Sequence, residues 1–301
     1  MHWWWDEPKG HTGASMTDTD HSTSENSLFR PMRVGGLRGR PVQITGVGLA
    51  CPAGIGAEGA EGGRPGAVPG FRPRAYVSDR KSLKLMSRSV QLGVSVIQLA
   101  LSQDPTWESV APERRGCFVG ASPQPGDPDD LRMALEAAMV PGDTGPALSL
   151  SKFATEGMRL IHPLWLVKGL SNNVLGFASA IHNLQGVNAN YCDGQLGGWT
   201  ALREGAMAVA EGRADLVVAG ASDSLVQVAS LLGGVRCGEG AAFVVFRAID
   251  PSDAVALEET QVLANRETLM LEPHLLGELG AATFPVSLVR QLLRHTPSLM
   301  E

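Results

Sequence analysis

The sequence predicts an α/β domain whose sheet is buried on both faces. Short runs at 116–121, 215–220 and 241–246 are almost entirely apolar, as expected for strands covered on both sides. Segments with the apolar spacing of helices lie between such runs, and this alternation is typical of a layered α/β fold. Glycine is frequent, at 36 of 301 residues, and can form the tight turns between strands and helices.

Each element follows from its local pattern. The predicted strands are 41–50, 116–121, 187–192, 215–220 and 241–246. The predicted helices are 80–103, 131–139, 171–184, 197–212 and 274–294. The segment 248–268 is polar and mixed, which indicates a connection or a short helix.

Composition excludes several classes of function. The net charge is -6 without a long basic block, which gives little support to nucleic-acid binding. None of the four cysteines forms a C-x-x-C pair, so we expect neither a disulfide framework nor a metal site. Gly46-Val-Gly48 lacks the full dinucleotide fingerprint, and we expect no cofactor. No apolar run reaches the roughly 18 residues of a membrane helix, and we expect a cytoplasmic protein.

The N-terminal segment differs from the rest of the chain. Three tryptophans, Trp3 to Trp5, precede a polar stretch that has no apolar core typical of a secretory signal. We predict a disordered tail over 1–35, with Met16 or Met32 as alternative starts, and a folded domain over 36–301. The tryptophans as a docking peptide are the less supported alternative.

The segment HPLWLVKGLSNNVLGFASAIHNLQG at 162–186, together with five others in order along the chain, resembles the β-ketoacyl-[acyl-carrier-protein] synthase family of the thiolase-like superfamily. It is the most specific segment, because it is similar to a pattern that precedes the family nucleophile. The other matching segments are RPVQITGVGLACPAG at 40–54, RKSLKLMSRSVQLGVSVIQLAL at 80–101, RGCFVGA at 115–121, AEGRADLVVAGAS at 210–222 and CGEGAAFVVF at 237–246.

The resemblance implies a thiolase-like, layered α-β-α-β-α architecture. Family members join two similar halves, whereas this chain matches one near-complete half and a reduced second half. The family's closing Phe-Gly-Gly motif is missing, and the second half, which normally closes the acyl pocket in this family, is reduced. This pattern of loss resembles a chain-length-factor subunit.

Glutamine stands where the family has its nucleophilic cysteine. Counting without gaps from Gly186 places the family's cysteine at Gln195 and the following family glycine at Gly198. An amide cannot form a thioester, although it can hydrogen-bond a thioester carbonyl or an enolate oxygen. Cys192 is an alternative nucleophile, but its spacing to the next glycine departs from the family pattern.

The family histidines are also degenerate. The His-Gly-Thr motif does not occur in the sequence. The second family motif, Gly-His-x-x-Gly-Ala, fits in two registers that the sequence does not separate. In the first register His274 is a retained catalytic histidine; in the second, Gly280-Ala281-Ala282 is the family Gly-Ala-Ala and the histidine becomes Gly277.

The resemblance therefore implies a non-condensing subunit of a fatty-acid or polyketide system. We expect it to pair with an active ketosynthase, or with itself, through the strand at 187–192, and to help bind an acyl chain or acyl carrier protein. Alternative hypotheses are a malonyl-carrier-protein decarboxylase that uses Gln195 with His274, an acyltransferase that uses Cys192, and a decayed paralogue with a purely structural role.

Overall fold

The computed structural model describes residues 31–122, 129–254, 259–261, 263 and 273–294. The strands are β1 (Met32–Val34), β2 (Val42–Cys51), β3 (Gly54–Ile55), β4 (Arg115–Gly120), β5 (Met139–Gly142), β6 (Gly145–Leu148), β7 (Asn188–Tyr191), β8 (Leu216–Ser224), β9 (Glu239–Ala248) and β10 (Glu259–Thr260). The helices are α1 (Arg80–Leu83), α2 (Arg88–Ser102), α3 (Asp129–Ala137), α4 (Leu150–Thr155), α5 (Trp165–Lys168), α6 (Asn173–His182), α7 (Gly194–Ala210), α8 (Pro251–Ala254), α9 (Pro273–Leu276) and α10 (Thr283–Arg294).

One mixed sheet of eight strands organises the fold. Its order is β10-β1-β2-β9-β8-β4-β7, and β3 pairs with β2 outside this path. The strands β8, β4 and β7 run parallel to one another, while β9 is antiparallel to both β2 and β8. The strand β7 ends this order, so one of its sides has no strand neighbour among the described residues. The strands β5 and β6 form a separate hairpin.

Two apolar cores lie on opposite faces of the sheet. Val217 and Ala219 of β8 belong to the core formed with α7 and α10. Leu216 and Val218, the alternate residues of the same strand, belong to the core formed with α2 and α6. Successive side chains of a strand point to opposite faces, so this division means that helices cover both sides of the sheet. The layered α/β architecture predicted from the sequence is confirmed.

Two predicted helices are interrupted. The pattern at 80–103 forms α1 and α2 as separate helices, and Asp79 caps α1 by accepting the backbone N–H groups of Lys81 and Ser82. The pattern at 274–294 divides into α9, a 3-10 turn at Gly280–Ala282, and α10. Gly277 and Gly280 have φ angles of 83° and 54°, and a right-handed helix cannot continue through that conformation.

The first strand lies within the segment assigned to the N-terminal tail. β1 pairs with β2 and with β10, and both Met32 and Val34 are buried. The sheet therefore extends into residues 31–35 of the predicted tail, because the side chains of Met32 and Val34 pack in the core. The tryptophan-rich part, residues 1–30, lies outside the described residues.

The glycines of β2 allow close contact with α2. A Cβ atom at Gly46 would lie 2.2 Å from the carbonyl oxygen of Ala100, and one at Gly48 would lie 2.2 Å from that of Val96. No real Cβ atom tolerates such a distance, so the Gly-Val-Gly sequence lets helix and strand backbones approach each other. Among the described residues, none of the helices has the length and apolarity required to cross a membrane.

Candidate functional site

Gln195 lies in the first turn of α7. The helix begins at Gly194, three residues before the predicted start, and Gly194 has a φ of 50° that few other residues adopt. The backbone N–H groups of Leu196 and Gly197 donate to the carbonyl of Asp193 at 3.0 and 3.2 Å. The predicted placement at a strand-to-helix turn thus holds for Gln195, which follows β7 and lies at the positive end of a 17-residue helix.

The start of α7 packs tightly against the turn at Gly280–Ala282. A Cβ atom at Gly198 would lie 2.2 Å from the carbonyl oxygen of Ala281 and 2.7 Å from Cδ of Pro285. Only glycine permits this approach. The segment predicted to match the second family motif is therefore in contact with the turn predicted to match the family's nucleophile position.

Glu278 binds the side chain of Gln195. The amide Nε2 of Gln195 donates to both carboxylate oxygens of Glu278, at 2.8 and 2.9 Å. The carboxylate also accepts the backbone N–H of Gly280 at 3.1 Å. No sequence pattern singled out Glu278, although it lies within the segment 273–282 that was matched to the second family motif. The two residues are 83 positions apart, and no local pattern connects them.

Backbone bonds hold Glu278 in place. Its N–H donates to the carbonyl of Arg236 at 2.8 Å, and its carbonyl accepts the N–H of Gly238 at 3.0 Å. Glu278 also forms an isolated parallel bridge with Cys237, just before β9 begins. This loop is thus attached to the sheet immediately beside the residue that contacts Gln195.

A second carboxylate, that of Asp223, binds the same turn at Gly280–Ala282. Asp223, near the end of β8, is 1% exposed, and its Oδ2 accepts the N–H of Ala281 at 3.1 Å. Its Oδ1 accepts the N–H of Ser224 at 2.9 Å. Glu278 and Asp223 therefore bind successive backbone N–H groups of the turn and fix its conformation. Asp223 was also absent from the sequence-based candidates.

Cys192 lies outside the helix. It is exposed, and its Sγ accepts the side-chain amide of Asn190 at 3.2 Å. An amide cannot remove the thiol proton, so this contact does not supply the base that an activated nucleophile requires. Cys192 precedes the first residue of α7 by two positions, whereas Gln195 lies within the helix.

The histidines occupy different environments. The backbone of His274 is in α9, but its side chain lies outside the described residues. His162 is exposed, and its Nδ1 accepts the N–H of Leu164 at 3.1 Å. His182 is buried with its ring edge-on to Trp107, and burial lowers its pKa to about 4. His182 is therefore neutral near pH 7 and belongs to the core.

Exposed apolar side chains concentrate between α3 and α6. Leu150 is 76% exposed and Leu166 is 70% exposed. Further exposed apolar residues in this region are Met133, Leu135, Met139, Leu148, Met158, Leu160, Leu164, Val167, Leu170 and Ile181. This region, residues 129–182, is here called the apolar segment. Exposed apolar surface on this scale is typical of an interaction surface.

A cleft of about 430 Å³ lies beside the first residues of β2 and the last residues of β9, away from Gln195. Its lining includes Asp104 and Arg247, and Arg247 Nη1 donates to both carboxylate oxygens of Asp104 at 3.0 Å. The polar groups of this pair satisfy each other. The cleft does not include Gln195 and is separate from the site described above.

Solved ketosynthases have the same fold as this chain. A type II polyketide ketosynthase in complex with its acyl carrier protein (AntDE with AntF) shows 18% identity over 73% of this chain and 65% of that chain, with a TM-score of 0.56. The ishigamide ketosynthase/chain length factor shows 17% identity over 73% of this chain and 61% of that one, with a TM-score of 0.57. A β-ketoacyl synthase from Burkholderia phymatum shows 20% identity over 73% and 61%, with a TM-score of 0.54.

These similarities establish the fold class. The predicted ketosynthase-type fold is confirmed over the matched part of the chain. No protein-family model matches the sequence. The matched part of each solved protein is 61–65% of its length, so this chain corresponds to less than two thirds of each.

Proposed function

We propose that this chain is a non-condensing, ketosynthase-like subunit of a fatty-acid or polyketide biosynthetic system in the cytoplasm. It pairs with an active ketosynthase, or with itself, in the manner of a chain length factor. It helps to bind the acyl chain or the acyl carrier protein. The observation that carries the proposal is Gln195 in the first turn of α7, with its amide bound by Glu278.

The contact with Glu278 argues against decarboxylation. A decarboxylase would need the amide N–H groups of Gln195 to hold a thioester carbonyl or an enolate oxygen. That amide nitrogen already donates to Glu278. A malonyl carboxylate brought to this position would also meet the negative charge of Glu278, and like charges at short range repel.

The motif register supports the same proposal. Glu278 contacts Gln195, and Gly198 packs on Ala281. These contacts favour the register in which Gly277 stands at the family's histidine position. In that register the chain has neither of the two family histidines. A catalytic role of His274 remains a prediction, and it requires the other register.

Two surfaces support pairing with a second subunit. The first is the open side of β7. The carbonyls of Val187 and Tyr191 accept N–H groups from Cys117 and Ala121, so the alternate residues Asn188 and Asn190 direct their backbone groups away from β4. The second surface is the apolar segment. Open strand edges and exposed apolar patches are normally covered by a partner. One of the similar structures is a ketosynthase in complex with its acyl carrier protein, and another is a ketosynthase/chain length factor.

Co-purification tests the pairing. The chain is co-expressed with an active ketosynthase of the same organism, and the wild type is expected to co-purify. Asn188→Pro removes an outward N–H, whereas the matched control Asn188→Ala keeps it. We expect the proline variant to lose the partner and the alanine variant to retain it. Leu166→Glu tests the apolar segment independently and is expected to weaken the complex at least tenfold, because a charge replaces an exposed apolar contact.

A mass measurement distinguishes the enzymatic alternatives. The purified chain is incubated with malonyl-loaded carrier protein, and we expect the carrier mass to stay unchanged. Conversion to the acetyl form that disappears in Gln195→Ala would overturn the proposal in favour of a decarboxylase. Acyl transfer that disappears in Cys192→Ser would support the acyltransferase hypothesis instead.

A further inference from the structure

A carboxylate is bound at the position where a ketosynthase carries its nucleophile. Glu278 lies within 2.9 Å of the Gln195 amide nitrogen through either of its oxygens. Its remaining described donor is the backbone N–H of Gly280. All of these donors are neutral amides, so the contacts orient the carboxylate without neutralising its charge.

Backbone hydrogen bonds fix the main chain that carries this charge. Glu278 is bonded through its own N–H to Arg236 and through its carbonyl to Gly238. Gly277 before it and Gly280 after it have positive φ angles, which define the turn that carries it. A side-chain rotation would therefore break the bonds to Gln195 and to Gly280 N–H together.

A neighbouring thiol already experiences this charge. The pKa of the Cys237 thiol is raised by burial and, in addition, by the charge of Glu278. Cys237 pairs with Glu278 in the parallel bridge. A negative group at position 195, which contacts the carboxylate directly, would lie closer to that charge and experience a larger effect.

We propose that Glu278 is a specificity-determining residue that excludes anions from the nucleophile position of this fold. The position then accepts neutral acyl groups and rejects carboxylated ones such as malonyl. The proposal deepens the proposed function and rests on it, because it assigns to the non-condensing site the class of acyl group that it can contact. It also means that restoring a cysteine by Gln195→Cys would not by itself restore a thiolate.

Titration of a thiol introduced at position 195 measures the exclusion of negative charge from that position directly. In a Cys192→Ser background, which removes the exposed thiol, Gln195→Cys is compared with the same protein carrying Glu278→Gln. The rate of alkylation by iodoacetamide against pH gives the pKa of the introduced thiol. We expect Glu278→Gln to lower that pKa by about one unit, which corresponds to roughly tenfold more thiolate at neutral pH. Glutamine retains an oxygen that can accept the N–H of Gly280, and near-UV circular dichroism checks the fold.

Glu204→Gln is the matched control. Glu204 lies on the same helix, nine positions beyond Gln195, which is about 13 Å along the axis and beyond a Debye length. We expect that variant to leave the thiol pKa unchanged. Equal pKa values with and without Glu278 would overturn the proposal.

Binding of loaded carrier proteins supplies a second readout. In the otherwise unmodified chain, Glu278→Gln is expected to strengthen binding of malonyl-loaded carrier about tenfold relative to acetyl-loaded carrier. An unchanged ratio would contradict the exclusion of carboxylated groups. Failure of the co-purification experiment would overturn the pairing but would leave the thiol titration unaffected, so the two failures are distinguishable.

Discussion

Replacing Glu239 by glutamine should destabilise the chain strongly, because it removes one partner of a buried ion pair. Glu239 is the first residue of β9 and is 2% exposed. Its carboxylate accepts Arg88 Nη2 at 2.6 Å, Arg88 Nε at 3.0 Å, the Val68 N–H at 2.9 Å and Ser224 Oγ at 2.9 Å. Arg88 also lies 4.7 Å above the ring of Phe71.

The expected magnitude follows from burial. Removing one partner of a buried pair costs about 3–5 kcal/mol, because the other charge is left without compensation. Arg88 is 26% exposed and stays partly hydrated, and glutamine keeps the volume and one acceptor oxygen, so we expect the lower end, about 3 kcal/mol. For a chain of this size, a urea m value of about 3 kcal/mol/M converts this loss into a midpoint lower by about 1 M.

Urea unfolding followed by circular dichroism is the assay, and Glu136→Gln is its matched control. Glu136 pairs with Arg132 across one turn of α3, but both side chains are about 60% exposed. Such a pair contributes about 0.3–0.5 kcal/mol, so the control midpoint should move by less than about 0.2 M. Should Glu239→Gln shift the midpoint no more than the control, the assignment of a stabilising buried pair would be refuted.

Three further predictions concern other parts of the chain. Burial holds the pKa of His182 at about 4, below its unfolded value of 6.5, so its stabilising effect is complete above pH 6.5 and is lost as the pH falls towards 4. The unfolding free energy of the wild type should therefore fall about 3 kcal/mol further between pH 7 and 4 than that of His182→Phe, and equal slopes would contradict this. Gly198→Ala should lower the Tm by about 4 °C or more, because the added Cβ would clash with the carbonyl oxygen of Ala281. Gly176→Ala, with open space around it on α6, should raise the Tm. Thermal melts that show the same sign for both variants would be inconsistent with the packing. Native protein should react rapidly with Ellman's reagent at one thiol, Cys192, since the other three cysteines are buried, and more than one fast equivalent would show that a core thiol is accessible.

The position of Gln195 was predictable from the sequence because its determinants are local. A strand, a short turn and a helix follow one another between 187 and 212, and counting from a glycine is enough to place one residue on that turn. The central strands were predictable for a similar reason. Strands buried on both faces must be apolar at nearly every position, and that requirement is visible in β4, β8 and β9.

The partner of Gln195 was not predictable in this way. Glu278 lies in a segment whose apolar spacing indicates one helix over 274–294. That spacing reports which side chains are buried, and it does not report that Gly277 and Gly280 adopt positive φ angles. Where the helix is interrupted, the turn places a carboxylate beside the start of α7.

By itself, the sequence determined the layered α/β fold and the resemblance to ketosynthases, in which Gln195 aligns with the family's cysteine. The tertiary structure alone decided that Gln195 meets Glu278, that Asp223 supports the same turn, and that β1 adds to the sheet from within the predicted tail. Burial patterns are imposed residue by residue and can be seen in a short stretch of chain. A contact between residues 83 positions apart depends on the path of every turn between them, which no local pattern encodes.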